Sequence, residues 1–312
     1  METYYFNKPV KLFIKEKSLV VLSVLDNKKL YLPLESIEKL VSFSKIHLTY
    51  DAIEELLKRK INVYFLNKYS FLGMLTFNLF SAFHLKQYES FVNHNKRINV
   101  AKKFILALYY NFNYYFKKKN YEINFNLEDV INALTIEELM GYESIIWKQV
   151  YQYLKENLKL KFNLREFHPP KDEVNALLSF LNSLLYIEIF HKGVINGFNM
   201  DISYLHSPKE RALVFDIAEI YKPIVVIPLL IKLINQSIIR EEHFLKEENK
   251  VYLNEKGRYV VVKYFKEKLN QAVYSKKLKN KHKIKHLILY EFYNLKGYLK
   301  GKYSYYDPFY LL

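Results

Sequence analysis

The hydrophobic pattern of the chain changes once, near residue 85, and no other feature constrains the fold as strongly. Before this point, short runs rich in β-branched and aromatic residues, such as residues 10–14, 19–25 and 62–66, alternate with turn residues. Beyond it, apolar residues recur at helical spacing over long stretches, and the chain contains only 7 glycines. We therefore predict an α+β fold in which a small β-rich domain, residues 1–85, precedes a larger all-α domain, residues 86–312.

Cysteine is absent from the sequence, which excludes disulfides, thiolate metal sites and cysteine nucleophiles and fits a reducing compartment. The N-terminal residues lack the basic and apolar regions of a signal peptide. The longest apolar run, residues 224–231, is short for a membrane span and contains Pro228. We therefore predict a cytoplasmic protein without a membrane-spanning segment.

The balance of charge favours a polyanionic partner. Lysine and arginine total 48 against 32 acidic residues, a formal net charge of +16, which is the electrostatic pattern expected of a protein that binds nucleic acid. Most of the excess lies in residues 256–302, where only Glu267 and Glu291 are acidic. The alternative is a solvated, lysine-rich surface with no specific ligand.

A glutamate on the apolar side of a predicted helix is the most informative single residue. Thr135 and Glu138 have the spacing of a capping box, which predicts a helix start, and the apolar residues that follow form one stripe. Glu143 falls inside this stripe. A carboxylate on the packed side of a helix needs a compensating cation or donor, because its desolvation costs on the order of several kcal/mol. It is therefore either part of a structural salt bridge, or a metal ligand or catalytic acid/base.

A second group of candidate ligands follows further along the chain. Ser207 and Pro208 have the residue types expected at an N-cap and at the first helical position, so we predict that a helix begins there with His206 at its mouth. Asp216 and Glu219 are three residues apart and share one face of this helix. Carboxylates with one imidazole suit Mn²⁺ well and Mg²⁺ acceptably, whereas zinc is less suited without thiolates. Taken alone, this spacing also arises by coincidence in helical proteins.

Four segments of the sequence resemble the motifs of one protein family and occur in the order and spacing of that family. They read LMGYE at 139–143, PPKDEVNALLSF at 169–180, GFNMDISYLHS at 197–207 and ALVFDIAEIYKP at 212–223. The third contains the family's Leu-His pair at residues 205–206, and the fourth is similar to its Asp-Leu-x-Glu-x-Phe-Lys-Pro helix. The chain thus resembles the CRISPR-associated integrases of the Cas1 family.

The resemblance implies a metal-dependent DNA endonuclease and integrase that inserts short DNA fragments, the spacers, into a CRISPR repeat array. It implies that Glu143, His206 and Glu219 hold one Mn²⁺ or Mg²⁺, and that Asp216 assists from beside them. It also implies a homodimer formed through the β-rich domain and a heteromeric complex with a small partner, Cas2. The double-stranded DNA partners are then the spacer fragment and the repeat array.

Basic residues near the motifs and in the C-terminal segment are the candidates for contacts with DNA phosphates. They are Arg165, Lys222, Arg258, Lys276, Lys277, Lys279, Lys281, Lys283 and Lys285. Two alternatives stay open. The first is a non-catalytic DNA-binding scaffold, because residues 144–147 stand where the family often has glycine and small or basic residues beside its metal glutamate. The second is a stand-alone DNA repair nuclease that uses the same metal site.

Overall fold

The computed structural model describes residues 1–66, 71–77, 81–166, 169–275 and 278–311, and their arrangement confirms the predicted α+β fold. The first part holds strands β1 (Glu2–Phe6), β2 (Val10–Lys15), β3 (Ser18–Ser23), β4 (Lys29–Pro33), β5 (Ile37–Ser42), β6 (Ile46–Leu48), β7 (Asn62–Leu66) and β8 (Phe71–Leu75), and helix α1 (Tyr50–Lys58). The helices that follow are α2 (Phe83–Val92), α3 (His94–Lys117), α4 (Leu127–Asn132), α5 (Ile136–Asn157), α6 (Glu173–Ile195), α7 (Ala212–Tyr221), α8 (Ile227–Asn235), α9 (Glu255–Asn270) and α10 (Ile284–Leu299).

Two four-stranded sheets share a small apolar core. One has the strand order β1-β5-β7-β8, with β1, β5 and β7 parallel and β8 antiparallel to β7, and the other has the order β4-β3-β2-β6. Leu19 of the second sheet, Leu40 of the first and Leu56 of α1 are buried in this core. Successive side chains of a strand point to opposite faces, so Val41 and Tyr64 of the first sheet belong instead to the larger core of the helices. The first sheet is therefore the layer between the two cores.

Strand β5 was not predicted from the sequence, because two charged residues interrupt its apolar pattern. One of them, Lys39, is fully buried, and its Nζ lies 2.9 Å from Oε1 of Glu188 on α6. The other, Glu38, forms an ion pair with Lys192, one turn further along α6. Buried charges are found where they are paired. The two ion pairs therefore explain how a charged segment lies inside a sheet, and they connect β5 to α6.

Helix α6 is the centre of the larger core. Among the described residues, it alone is long and apolar enough to cross a membrane, and 72% of the apolar window is buried against other elements. Such burial is typical of a helix at the centre of a packed core. On one side it packs against α7, and on another against α10.

The second part of the chain is helical, as predicted, but two short hairpins show that the all-α description was wrong in detail. Strands β9 (Phe244–Glu247) and β10 (Lys250–Leu253) form one hairpin, and β11 (Ala272–Ser275) and β12 (Asn280–Lys283) form the other. Each strand has four residues and several are charged, so no alternating apolar pattern marks them in the sequence. The division into domains 1–85 and 86–312 stays a proposal, supported by the change from strands to helices at α2.

Candidate metal centre

Helix α5 positions the first candidate ligand. The Thr135 hydroxyl accepts a hydrogen bond from the backbone N–H of Glu138 (3.2 Å), and the Glu138 carboxylate accepts one from the N–H of Thr135 (3.0 Å). This is the predicted capping box, and it fixes the helix start. From that start, the helical period buries Ile146 and Val150 in the core and leaves the Glu143 side chain 15% exposed at the edge of the buried face.

Asp216 organises the chain that leads to the second ligand. Its carboxylate is fully buried and accepts hydrogen bonds from the Ser203 hydroxyl (2.8 Å) and from the backbone N–H groups of Tyr204 (2.7 Å), Leu205 (3.2 Å) and His206 (3.1 Å). Nδ1 of His206 also lies 2.9 Å from Asp216 Oδ1. These donors offset the cost of burying the charge. Because Nδ1–H donates to the carboxylate, Nε2 is left as the ligand atom of the ring.

The predicted start of α7 at Ser207 was wrong. The helix begins at Ala212, after Arg211 in the left-handed region at φ 56°. The reason lies in contacts between distant residues, because the N–H of Arg211 donates to the side chain of Asp201, and Asp216 holds the N–H groups of residues 204–206. The later start leaves Asp216 and Glu219 inside the helix, on one face, as predicted.

The structure brings the three predicted ligands together. One ligand atom from each of Glu143, His206 and Glu219 can be chosen so that all lie within 4.8 Å of one another. Nε2 of His206 lies 3.3 Å from Glu143 Oε2, and Glu219 is fully buried. Ligand bonds of about 2.1 Å place the ligand atoms of an octahedral cation about 3–4.2 Å apart. Ligand atoms within 4.8 Å of one another approach that spacing, so these residues fit one divalent cation.

Cationic groups surround the carboxylates of the centre. Lys222, at the start of a π-helical turn (Lys222–Val226) after α7, forms an ion pair with Glu219. Burial raises the pKa of Glu219, although Lys222 opposes this change. Burial alone would lower the pKa of His206, but hydrogen bonds to Asp216 and Glu143 raise it to about 10. The centre therefore needs positive charge, which is the requirement that a divalent cation meets.

The sequence analysis missed the role of Trp147. Its indole Nε1–H donates to Glu219 Oε2 at 2.8 Å. Trp147 lies four residues after Glu143, so the two side chains share one face of α5. That spacing is the signal that predicts a tryptophan beside the centre, but the contact with Glu219 depends on how α5 packs against α7.

The candidate DNA-binding residues fall into three groups, which are Lys222, two arginines and the lysines of the C-terminal segment. Lys222 belongs to the metal centre itself. Arg165 is partly buried and donates to the side chains of Asn175 and Ser179 at 2.9 Å each, and burial lowers its pKa. Arg258 of α9 donates to the Leu253 carbonyl at 3.3 Å. Four of the remaining lysines lie on or next to the β11–β12 hairpin: Lys279, Lys281 and Lys283 are exposed, and Lys285 is half-buried. The other two, Lys276 and Lys277, lie outside the described residues.

Asp216→Asn tests whether the buried carboxylate orients His206. We expect Mn²⁺ affinity to fall about 10–100-fold, because the carboxylate partner of a metal-bound histidine fixes its tautomer and orientation. Stability should also fall by about 1–3 kcal/mol, since an amide nitrogen cannot accept from the surrounding N–H groups. Calorimetric Mn²⁺ titration and urea unfolding measure the two effects. Asp51→Asn, on the exposed start of α1, is the control. Equal Mn²⁺ affinity in both variants would show that Asp216 has no such role.

Comparison with known proteins agrees with the fold and shows the family of the chain. The family model described as CRISPR associated protein Cas1 matches residues 3–267. The chain is 31% identical to CRISPR-associated endonuclease Cas1 2 of Moorella thermoacetica, over 98% of each chain. It is also 31% identical to CRISPR-associated endonuclease Cas1 of Methanocaldococcus jannaschii, over 94% of each.

Solved structures show the same architecture. A CAS1 protein from Thermotoga maritima superposes with a TM-score of 0.88 at 26% identity and covers 98% of this chain and 99% of its own. A casposase bound to integration product gives a TM-score of 0.88 at 21% identity, with 98% and 93% covered. A chain of a Cas6-RT-Cas1–Cas2 complex gives 0.84 at 20% identity, with 100% of this chain and 36% of that one covered. The last two show the fold alone.

Fold and site together define a class of α+β proteins in which two glutamates and a histidine converge in an arrangement that fits a divalent cation. Within this class, the chain belongs to the Cas1 family. A divalent metal cofactor follows from that membership and from the three ligands that fit it.

Proposed function

We propose that this protein is a CRISPR adaptation integrase, a metal-dependent DNA endonuclease and strand transferase that inserts short DNA fragments into the repeat array. The observation that carries the proposal is the convergence of Glu143, His206 and Glu219 within 4.8 Å, in a chain whose curated relatives are named CRISPR-associated endonucleases. The casposase of the same fold, which is bound to integration product, supports strand transfer as the reaction.

The reaction is the attack of a fragment's 3′-hydroxyl on a repeat phosphodiester. A new bond forms between the attacking oxygen and phosphorus, the bond to the leaving 3′-oxygen breaks, and the proton of the attacking hydroxyl balances the charge on that leaving oxygen. With water as the attacker, the same site cleaves DNA. A bound Mn²⁺ or Mg²⁺ supplies charge stabilisation at the phosphoryl oxygens and lowers the pKa of the attacking hydroxyl.

Side chains around the centre position the metal ligands and the DNA. Asp216 keeps His206 fixed, and the partial exposure of Glu143 places the centre where DNA can approach. We propose Lys222 as a phosphate contact at the scissile bond, because its ammonium lies beside Glu219 and its side chain is 12% exposed. The ligand set of two carboxylates and one imidazole favours Mn²⁺ and accepts Mg²⁺.

The C-terminal lysines form the proposed DNA track. Lys279, Lys281 and Lys283 project from the exposed β11–β12 hairpin, where contacts with phosphates require no fixed geometry. Arg165 and Arg258 are also proposed as DNA contacts. Their existing hydrogen bonds to protein groups restrict them more than the lysines.

We also propose a cytoplasmic homodimer that assembles with Cas2. The apolar side chains of Val24, Leu25, Leu30 and Tyr31 are exposed on the β3–β4 hairpin, and such a surface favours association through the β-rich part. The Cas6-RT-Cas1–Cas2 complex contains a chain of this fold, which supports the Cas2 partnership.

The scaffold hypothesis requires residues 144–147 to disturb the metal geometry. In the structure, Trp147 instead donates a hydrogen bond to Glu219, and the ligand atoms remain clustered. This contact favours the catalytic function over the scaffold. No feature of the described residues favours a stand-alone repair nuclease over an integrase.

Strand transfer tests the proposal directly. A short labelled duplex is incubated with a supercoiled, repeat-containing plasmid and the wild-type protein, with Mn²⁺, Mg²⁺ or EDTA, and with or without the Cas2 partner. We expect covalent duplex–plasmid products with either metal and none with EDTA, because the cation is needed for charge stabilisation at phosphorus. Binding of the duplex without any metal-dependent product would support the scaffold, and hydrolysis without joining would support the repair nuclease.

A further inference from the structure

Trp147 is the only tryptophan of the chain, and it contacts two groups of the metal centre. Its Nε1–H donates to Glu219 Oε2 at 2.8 Å. Nζ of Lys222 lies over the face of its ring, 5.2 Å from the ring centroid. One rigid side chain therefore touches both the buried metal ligand and the cation paired with it.

Neighbouring rings fix the orientation of the indole. Phe112 of α3 meets it edge-to-face, with ring centroids 5.0 Å apart and an interplanar angle of 86°. Tyr151, one turn further along α5, stacks on it at 5.3 Å and 28°. With both contacts in place, rotation of the ring would cost packing on two sides. The N–H is therefore held in the direction of Glu219.

Glu219 depends on such a donor because water does not reach it. Its side chain is fully buried, one oxygen contacts Lys222, and the other accepts from Trp147. Without the indole N–H, a buried carboxylate oxygen would lose its donor, and the carboxylate would be free to turn towards Lys222 alone. An oxygen that accepts one hydrogen bond keeps a lone pair for a cation.

We propose that Trp147 is a positioning residue that fixes the Glu219 carboxylate for divalent metal binding, an inference that rests on the proposed function. Trp147 acts through Glu219 and does not touch DNA or the reacting atoms. Its ring also offers the Lys222 ammonium a cation–π partner when Glu219 turns to the metal. The segment that stands where the family often has small or basic residues thus supplies support to the metal centre.

The test measures Mn²⁺ affinity by calorimetry in the full-length protein. Trp147→Phe removes the N–H and keeps an aromatic ring. A sharper variant replaces the single tryptophan biosynthetically with benzothienylalanine, in which sulfur takes the place of the N–H at nearly the same shape. We expect the Mn²⁺ dissociation constant to rise about 10–100-fold in both, as for other groups that orient metal ligands.

The control is Tyr142→Phe, an aromatic change on the same helix, where Tyr142 packs against Phe125 and not against Glu219. It should leave Mn²⁺ affinity within about twofold of wild type, below the range expected for a lost ligand-orienting contact. Strand transfer by the Trp147 variants should fall at low Mn²⁺ and recover at saturating Mn²⁺, while duplex binding in EDTA is unchanged. In the wild type, quenching of the single tryptophan by Mn²⁺ should follow the calorimetric binding curve.

Unchanged Mn²⁺ affinity in the benzothienylalanine protein would overturn the inference, even if strand transfer were lost. The proposed function fails separately. Suppose that the wild type binds Mn²⁺ and the variants bind it more weakly, but neither strand transfer nor cleavage occurs. The proposed integrase function is then wrong, and the role of Trp147 in metal binding stands. If wild type does not bind Mn²⁺ at all, both are wrong.

Discussion

Glu143→Gln is expected to remove strand transfer and DNA cleavage almost completely, with the fold intact. Glutamine has nearly the same shape, but it removes one of the two carboxylate charges that would hold the cation with His206. Metal charge stabilisation contributes several kcal/mol to reactions of this kind, so the rate should fall by about a thousandfold. The measurement is the initial rate of duplex joining to plasmid in saturating Mn²⁺.

The matched control is Glu137→Gln, which changes an exposed glutamate in the first turn of the same helix. It should keep strand transfer near the wild-type rate. Duplex binding in EDTA should be equal in both variants, because neither substitution removes a basic residue proposed to contact phosphate. A Glu143→Gln protein that still joined DNA at a tenth of the wild-type rate or better, roughly 1.4 kcal/mol of lost stabilisation, would place the catalytic cation elsewhere.

Glu188→Ala is expected to destabilise the protein by about 3–5 kcal/mol, because it leaves a buried ammonium without its partner. Lys39 is fully buried, and both Glu188 oxygens lie within hydrogen-bond distance of its Nζ, at 2.9 and 3.0 Å. Glu38 is further away, at 3.9 Å, and is already paired with Lys192. The change in free energy of unfolding is measured by urea denaturation of the purified protein.

Two controls separate burial from charge. In the exposed ion pair of Lys86 and Glu89, Nζ also lies 2.9 Å from a carboxylate oxygen. The variant Glu89→Ala should lower the free energy of unfolding by less than about 1 kcal/mol, since solvent screens that pair. The double variant Lys39→Met with Glu188→Leu should regain most of the lost stability, because apolar residues of similar size often replace a buried ion pair without loss. A single Glu188→Ala variant as stable as wild type would mean that Lys39 does not need this partner.

Local rules were enough where a segment carries its own signals. The capping box of Thr135 and Glu138 and the apolar stripe after it determine α5, and with it the position of Glu143 at the edge of a buried face. The same periodicity places Asp216 and Glu219 on one face, even though the predicted start of their helix was wrong. The change of pattern near residue 85 determined the α+β class, and the motif order indicated the family that the comparisons then showed.

Other features depend on residues that are distant in the sequence. Strand β5 contains Glu38 and Lys39, which oppose burial until α6 supplies Glu188 and Lys192. The start of α7 at Ala212 depends on the side chains of Asp201 and Asp216, which accept hydrogen bonds from backbone N–H groups of the preceding loop. The contact between Trp147 and Glu219 exists only because α5 and α7 meet.

The sequence by itself therefore determined which residues have ligand chemistry and which elements carry them, since helical period and capping act within a few turns. The resemblance implied that Glu143, His206 and Glu219 hold one cation, but only the tertiary structure decided how closely they converge, that Asp216 contacts the histidine ring and that Trp147 donates a hydrogen bond to Glu219. The physical reason is the cost of burying charge. A buried carboxylate is stable only beside its donors and cations, and those come from parts of the chain that meet when the core packs.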